Sequence, residues 1–152
     1  MYSVDQVSEF SIFADFSAEQ IARVLSCAVE QNCQKGCVII EESSNCTDFY
    51  IIVKGRVDVE LQTYGRQALG GSKRLALLRN GDIVGDLAYV EQRRRAAQAT
   101  AVDDVQILSI PKATLDTVFE QDPKLGFLFM RNIARIISQR LIDLNFMWRD
   151  DV

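Results

Sequence analysis

Histidine is absent from the sequence. Within this chain that excludes Ser-His-Asp and Cys-His nucleophilic schemes and every imidazole-ligated metal. Proline occurs only at Pro111 and Pro123, so no Pro-rich linker divides the chain. No apolar run approaches the ~18 residues of a membrane span. The first ten residues, MYSVDQVSEF, carry neither a basic n-region nor an apolar h-region, so a secretory signal is not expected. The expected location is cytoplasmic, with no membrane contact and with reduced thiols. Basic charge is also short: 17 Lys and Arg face 21 Asp and Glu, a formal net charge of -4. A net acidic chain is a poor non-specific binder of nucleic acid. What is present is globular in character. The 152 residues are 48% hydrophobic and 25% charged, which fits one domain with a real core.

Four cysteines, Cys27, Cys33, Cys37 and Cys46, fall in one short window. Their spacings are five, three and eight intervening residues. Structural zinc sites usually begin with a CxxC pair, and none occurs here. The expectation is no metal, with the thiols behaving as small buried hydrophobes.

Periodicity divides the chain into three parts. Phe10, Ile12, Phe13 and Phe16 form an apolar cluster, read as a short helix and turn docked on the core. Ser17-Ala18-Glu19-Gln20 fits a capping box. Ile21, Val24, Leu25 and Ala28 then recur at helical spacing, which predicts a helix over about 17–30. From about 37 to 110 the pattern becomes strand and turn. Phe49 to Val53 is a short apolar run, and Val57, Val59 and Leu61 alternate with polar residues, as in a strand with one wet face. Residues 63–72, with Gly65, Gly70 and Gly71, read as a long hairpin loop. Leu75 to Leu78, Ala99 to Val102 and Val105 to Ile110 are further strands, with turns at Asn80-Gly81-Asp82 and Asp103-Asp104. Pro111 can open a helix. Asp122 can N-cap a second one that starts at Pro123 and runs to about Trp148.

The segment from Gly81 to Ala101, GDIVGDLAYVEQRRRAAQATA, carries the most chemistry. Gly85 lets the backbone approach a ligand. The turn at Leu87 to Val90 offers free N–H groups to an anion. Arg93, Arg94 and Arg95 supply guanidinium forks that match phosphate oxygens, and Asp86 can accept from a sugar hydroxyl. The same residues also fit a solvated turn in which Asp86 merely caps a helix.

This stretch resembles the phosphate-binding cassette of the cyclic nucleotide-binding domain family, which reads roughly Phe-Gly-Glu-Leu-Ala-Leu-Leu, a short loop, then Pro-Arg-Ala-Ala. Here Val84-Gly85-Asp86-Leu87-Ala88-Tyr89-Val90 leads to Arg94-Arg95-Ala96-Ala97, with the family's usual ten-residue step from Gly85 to Arg95. Lys35-Gly36, Tyr50-Ile51-Ile52 before Gly55, and Leu78 before Gly81-Asp82 sit where the family has its roll glycines. The resemblance implies an α+β fold: an eight-stranded antiparallel β-roll of the jelly-roll type, flanked by helices. One domain over 1–152 is expected, with a helical part at 1–34, the roll at 35–110, the cassette at about 84–97 and C-terminal helices at 111–149. It also implies roles. Gly85, Leu87 and Ala88 would serve the ribose and phosphate through the backbone. Asp86 would hold the ribose hydroxyl, and Arg95 the cyclic phosphate. Ala96 and Ala97 would approach the phosphate closely. Val59 and Leu75 would wall the base, and Arg140 and Leu141 would lie over it as a lid. In the family, alanine at the position of Ala97 goes with cAMP more than with cGMP, so the resemblance implies cAMP. Three positions depart from the pattern: Asp86 replaces glutamate, Arg94 replaces proline, and Ser43 stands where the first hairpin turn usually has glycine.

The implied function is a cyclic nucleotide-binding regulatory module that signals through a partner protein or by oligomerisation, with a homodimer through the last helix. The other expectation is a degenerate site in a ligand-independent interaction module. Catalysis is not expected. Glu41-Glu42 and Asp103-Asp104 read as solvated turn residues, and no cofactor beyond the ligand itself, cAMP or cGMP, is implied. Because no helix-turn-helix follows Trp148, direct DNA binding is not expected.

Overall fold

The computed structural model describes residues 2–40, 48–62, 72–85 and 98–150; within these, the side chains of 61, 62, 72–75 and 147–150 are not described. A short α1 (Val4–Val7) and a 3-10 turn (Ser11–Phe13) precede α2 (Ala18–Leu25). Among the described residues eight strands follow: β1 (Val29–Cys33), β2 (Val38–Ile40), β3 (Phe49–Lys54), β4 (Val57–Gln62), β5 (Ser72–Leu78), β6 (Ile83–Val84), β7 (Gln98–Ala101) and β8 (Val105–Ile110). Two helices close the chain, α3 (Lys112–Gln121) and α4 (Pro123–Asp150).

The strands form two four-stranded antiparallel sheets, ordered β1-β8-β3-β6 and β2-β7-β4-β5. The expected roll is therefore present. The first sheet is covered on both faces. Phe49, Ile51, Leu108 and Ile110 point to the helices, while Ile52, Val105 and Ile107 point into the roll. A sheet with two dry faces needs apolar residues at successive positions. This explains the unbroken runs at β3 and β8, in contrast to the alternation in β4.

The helical layer is fixed by aromatic contacts. Phe129 of α4 is fully buried and meets Phe49 edge-on at 5.2 Å and Phe119 of α3 at 5.1 Å between ring centroids. The buried Asn132 donates from Nδ2 to the carbonyls of Ile12 and Ala14, both at 2.8 Å, and so ties the 3-10 turn to α4. Ser17 caps α2 as its sequence predicts, with Gln20 N–H donating to Ser17 Oγ at 3.2 Å and Ser17 N–H to Gln20 Oε1 at 2.8 Å. Asp122 caps α4 by accepting from Leu125 N–H at 3.2 Å.

Two expectations are corrected. The helix predicted to 30 ends at Leu25, and Val29–Cys33 is a strand that pairs along β8 from Ser109 to Val105. Ser26 Oγ and Cys27 Sγ both donate to the Arg23 carbonyl and close the last turn. The roll thus begins eight residues earlier than 37, within the stretch expected to be helical. The cysteines are also less buried than expected: Cys27 and Cys33 are half-buried and Cys37 is exposed. Cys46, Ser43 and the hairpin loop 63–71 lie outside the described residues.

Four turns that cross between the sheets, at 34–37, 55–56, 79–82 and 102–104, cluster at one end of the roll. Arg56 donates Nε and Nη2 to the two oxygens of Asp103 at 2.7 and 2.8 Å. This fork holds the Asp103 carboxyl below the usual carboxylate range. Gly55 N–H donates to Asn80 Oδ1 at 2.8 Å, and Lys35 N–H to Asp104 Oδ1 at 2.9 Å. Gly55 has a φ of +108, and a Cβ there would meet the Asp104 carbonyl oxygen and Val105 Cγ2, each at 2.9 Å. Gly55→Ala combines backbone strain with a clash on rigid backbone, so it is expected to cost about 1–3 kcal/mol. Urea unfolding of this variant checks that; an unchanged midpoint would show that the turn accommodates a Cβ at this position.

Candidate ligand-binding site

The chain leaves β6 at Gly85 and re-enters the roll at Gln98. Gly85 is half-buried with a φ of +84, a left-handed conformation that favours glycine over any residue with a Cβ. The strand before it is held on both sides. Ile83 and Val84 pair with Ile51 and Tyr50 of β3, and both are buried. From the other direction, Arg140 Nη2 of α4 donates to the Ile83 carbonyl at 2.8 Å. A charged donor on a backbone carbonyl is a strong hydrogen bond. It fastens the middle of α4 to the strand that leads into the segment 86–97.

Across the roll, Val59 of β4 is half-buried and packs on the apolar core between the sheets. It stands between Ala76 of β5 and Ala99 of β7 in the strand register. Two small neighbours keep this part of the inner surface low. The pairing steps from Val59 opposite Ala76 to Glu60 opposite Arg74, so Leu75 is the extra residue of a β-bulge. Bulges re-aim a strand locally and often lie beside functional sites.

Of the residues expected to form the site, Gly85, Val59, Arg140 and Leu141 are described with their surroundings, and Leu75 by its backbone. Leu141 is 57% exposed, and Arg140 reaches the β6 backbone rather than open solvent. Asp86, Leu87, Ala88, Arg95, Ala96 and Ala97 lie outside the described residues, as do Arg93 and Arg94. The contact from Arg140 to the Ile83 carbonyl was not legible in the sequence, because a backbone acceptor leaves no residue signature. Among the described residues no cluster of three metal-ligating side chains exists, and no helix is long and apolar enough to cross a membrane.

Arg140→Ala tests the latch. Its removal is expected to speed amide exchange across 134–146 while leaving the buried first half of α4 protected. Unchanged exchange in the second half would show that other contacts hold it.

The profile of the cyclic nucleotide-binding domain matches residues 30–122. The chain belongs to the cyclic nucleotide-binding domain family. Its α+β roll is the fold of that family, and the match begins within β1, not at the residue where strand alternation becomes visible. A cyclic nucleotide-binding domain from Methylobacillus flagellatus has a solved structure that superposes with a TM-score of 0.85 at 18% identity, covering 98% of this chain and 82% of that one. The cyclic AMP receptor protein of Thermus thermophilus is 25% identical over 131 residues, 86% of this chain and 56% of the relative. Glutaminase 2 of Bradyrhizobium diazoefficiens is 24% identical over 139 residues, 91% of this chain and 21% of the relative. The chain spans between 7% and 56% of the length of the curated relatives it matches. In glutaminase 2 the similar part is thus a minor portion of a larger, catalytic protein.

Proposed function

We propose that this cyclic nucleotide-binding domain binds cAMP in preference to cGMP and transmits the binding event through α4. The observation that carries the reading is the position of Gly85. It is left-handed, it follows a buried strand latched by Arg140, and it lies ten residues before Arg95. The sequence between Gly85 and Ala97 supplies backbone donors for a phosphate, a guanidinium fork at Arg95 and small side chains at Ala96 and Ala97. Asp86 would accept from the ribose hydroxyl. Ala97 offers no hydroxyl, and this favours cAMP. Transmission follows from the latch: any ligand that moves the start of the cassette also moves the acceptor of Arg140. A ligand can shift α4 only by its differential affinity for the two arrangements, typically ~1–3 kcal/mol. Amide exchange of α4 with and without cAMP tests this step. Ligand-dependent exchange beyond residue 137 is expected, and binding without any change in α4 would contradict it.

The output of the domain is a second copy or a partner protein. Phe127, Met130, Leu141 and Leu144 are exposed on α4, at 62%, 38%, 57% and 43%. With Ala134 and Ile137 they repeat at intervals of three and four residues, the spacing of a coiled-coil seam. At 1.5 Å per residue this helix is about 42 Å long, more than its own roll can cover. A homodimer along this stripe is self-complementary, the commonest solution for such a surface. Leu141→Asp is expected to shift sedimentation toward the monomer with the unfolding midpoint nearly unchanged, since Leu141 is not in the core. An unaltered sedimentation coefficient would remove this face from the dimer.

A further inference from the structure

The turn between β1 and β2 holds two thiols. Cys33 ends β1, pairs with Val105 in register, and packs half-buried on the core between the sheets. Cys37 follows four residues later and is exposed. The turn between them is tight. Cys37 N–H donates to the Gln34 carbonyl at 2.9 Å, and Gly36 takes a left-handed φ of +88. It is also pinned from below. Gly36 N–H donates to the Ala101 carbonyl at 2.8 Å, Ala101 N–H to the Cys37 carbonyl at 2.9 Å, and Lys35 N–H to Asp104 Oδ1 at 2.9 Å. Both backbone positions are therefore fixed, with Cys33 just before the hydrogen-bonded turn and Cys37 at its end, where the Cys37 thiol donates to the Val38 carbonyl at 3.8 Å. Burial, followed by the neighbouring Cys37 thiol, pushes the Cys33 thiol up.

We propose that Cys33 and Cys37 are a peroxide-sensitive dithiol that closes to a disulfide across the β1–β2 turn. The exposed Cys37 reacts first. Its thiolate attacks a hydroperoxide, the O–O bond breaks, and Cys37 becomes a sulfenic acid as water or an alcohol leaves. Cys33 keeps its proton until that step. It then attacks the Cys37 sulfur, the S–O bond breaks, and the Cys33 proton leaves with the hydroxide as a second water. Two thiols and one peroxide thus give one disulfide and two hydroxylic products, and the two electrons go to the peroxide. The division of labour follows exposure: the outer thiol meets the oxidant and the inner one resolves. Cys27 stands apart, at the end of α2, where its thiol donates to the Arg23 carbonyl.

The test treats the folded full chain with hydrogen peroxide, blocks the remaining thiols by alkylation, and maps disulfides by peptide mass. The expected product is a Cys33–Cys37 cross-link, with a loss of about 2 Da and two fewer alkylated thiols. Cys33→Ser is expected to leave a sulfenic acid on Cys37 that a dimedone-type reagent traps. Cys37→Ser should leave Cys33 as an alkylatable thiol. A cross-link that involves Cys27 or Cys46 would overturn the proposal. So would separate oxidation of Cys37 in the unaltered chain with Cys33 still free.

Discussion

Replacing Arg95 with alanine is expected to weaken cyclic-nucleotide binding by roughly ten- to a hundredfold. A hydrogen bond to a charged group contributes about 1.5–3 kcal/mol, and a bidentate guanidinium on a cyclic phosphate is of that kind. Three arginines stand in a row, so the prediction is selective. Arg93→Ala is expected to change affinity far less, because it falls two positions short of the ten-residue step from Gly85. The ten-residue step in the sequence from Gly85 singles out Arg95, and the small residues Ala96 and Ala97 follow it. Equal losses from Arg93 and Arg95 would mean that the cassette is shifted relative to this register. Asp86→Ala is the informative companion. The aspartate is one methylene shorter than the family's glutamate, and a small loss would show that it does not reach the ribose.

The largest effect on stability is expected at Phe129. This ring is fully buried and joins three elements, with Phe49 of β3 on one side and Phe119 of α3 on another. Truncation to alanine removes the transfer energy of the ring and leaves a cavity between α4 and the first sheet, a cost of about 3–5 kcal/mol. A domain of this size is stable by only about 5–15 kcal/mol, so the variant should sit close to unfolding. Phe127, two residues earlier on the same helix, is the control. It is 62% exposed and touches Arg131 through a cation–π contact at 5.5 Å. Its truncation is expected to cost no more than about 1 kcal/mol. Urea unfolding of both variants at low protein concentration decides between them. Similar midpoints would mean that α4 is not anchored where the aromatic cluster places it.

The roll and its flanking helices were legible in the sequence where burial is one-sided or complete. β3 and β8 read as apolar runs because both faces of their sheet are covered. β4 reads as alternation because one face is wet. α4 was legible from Asp122 and Pro123 at its start, and its buried positions Leu125, Phe129 and Ile133 keep helical spacing. β1 was not legible. Its residues Val29, Glu30, Gln31 and Asn32 are exposed on an edge strand, so neither strand alternation nor an apolar run marks them. Ala28 meanwhile extends the helical spacing of α2 past its true end. Pairing with β8 decides the conformation there, and tertiary contact overrides local pattern. For the site, Gly85 was legible because a left-handed turn demands glycine. The Arg140 latch and the Arg56–Asp103 fork were not, because both depend on which turns and helices meet in space.

Calorimetric titration of the full chain with cAMP and with cGMP tests whether this domain binds a cyclic nucleotide. Saturable binding with one nucleotide per chain is expected, with a tighter constant for cAMP. This is contradicted by the absence of binding to either nucleotide at concentrations up to about 1 mM, a limit that corresponds to only about 4 kcal/mol of binding free energy.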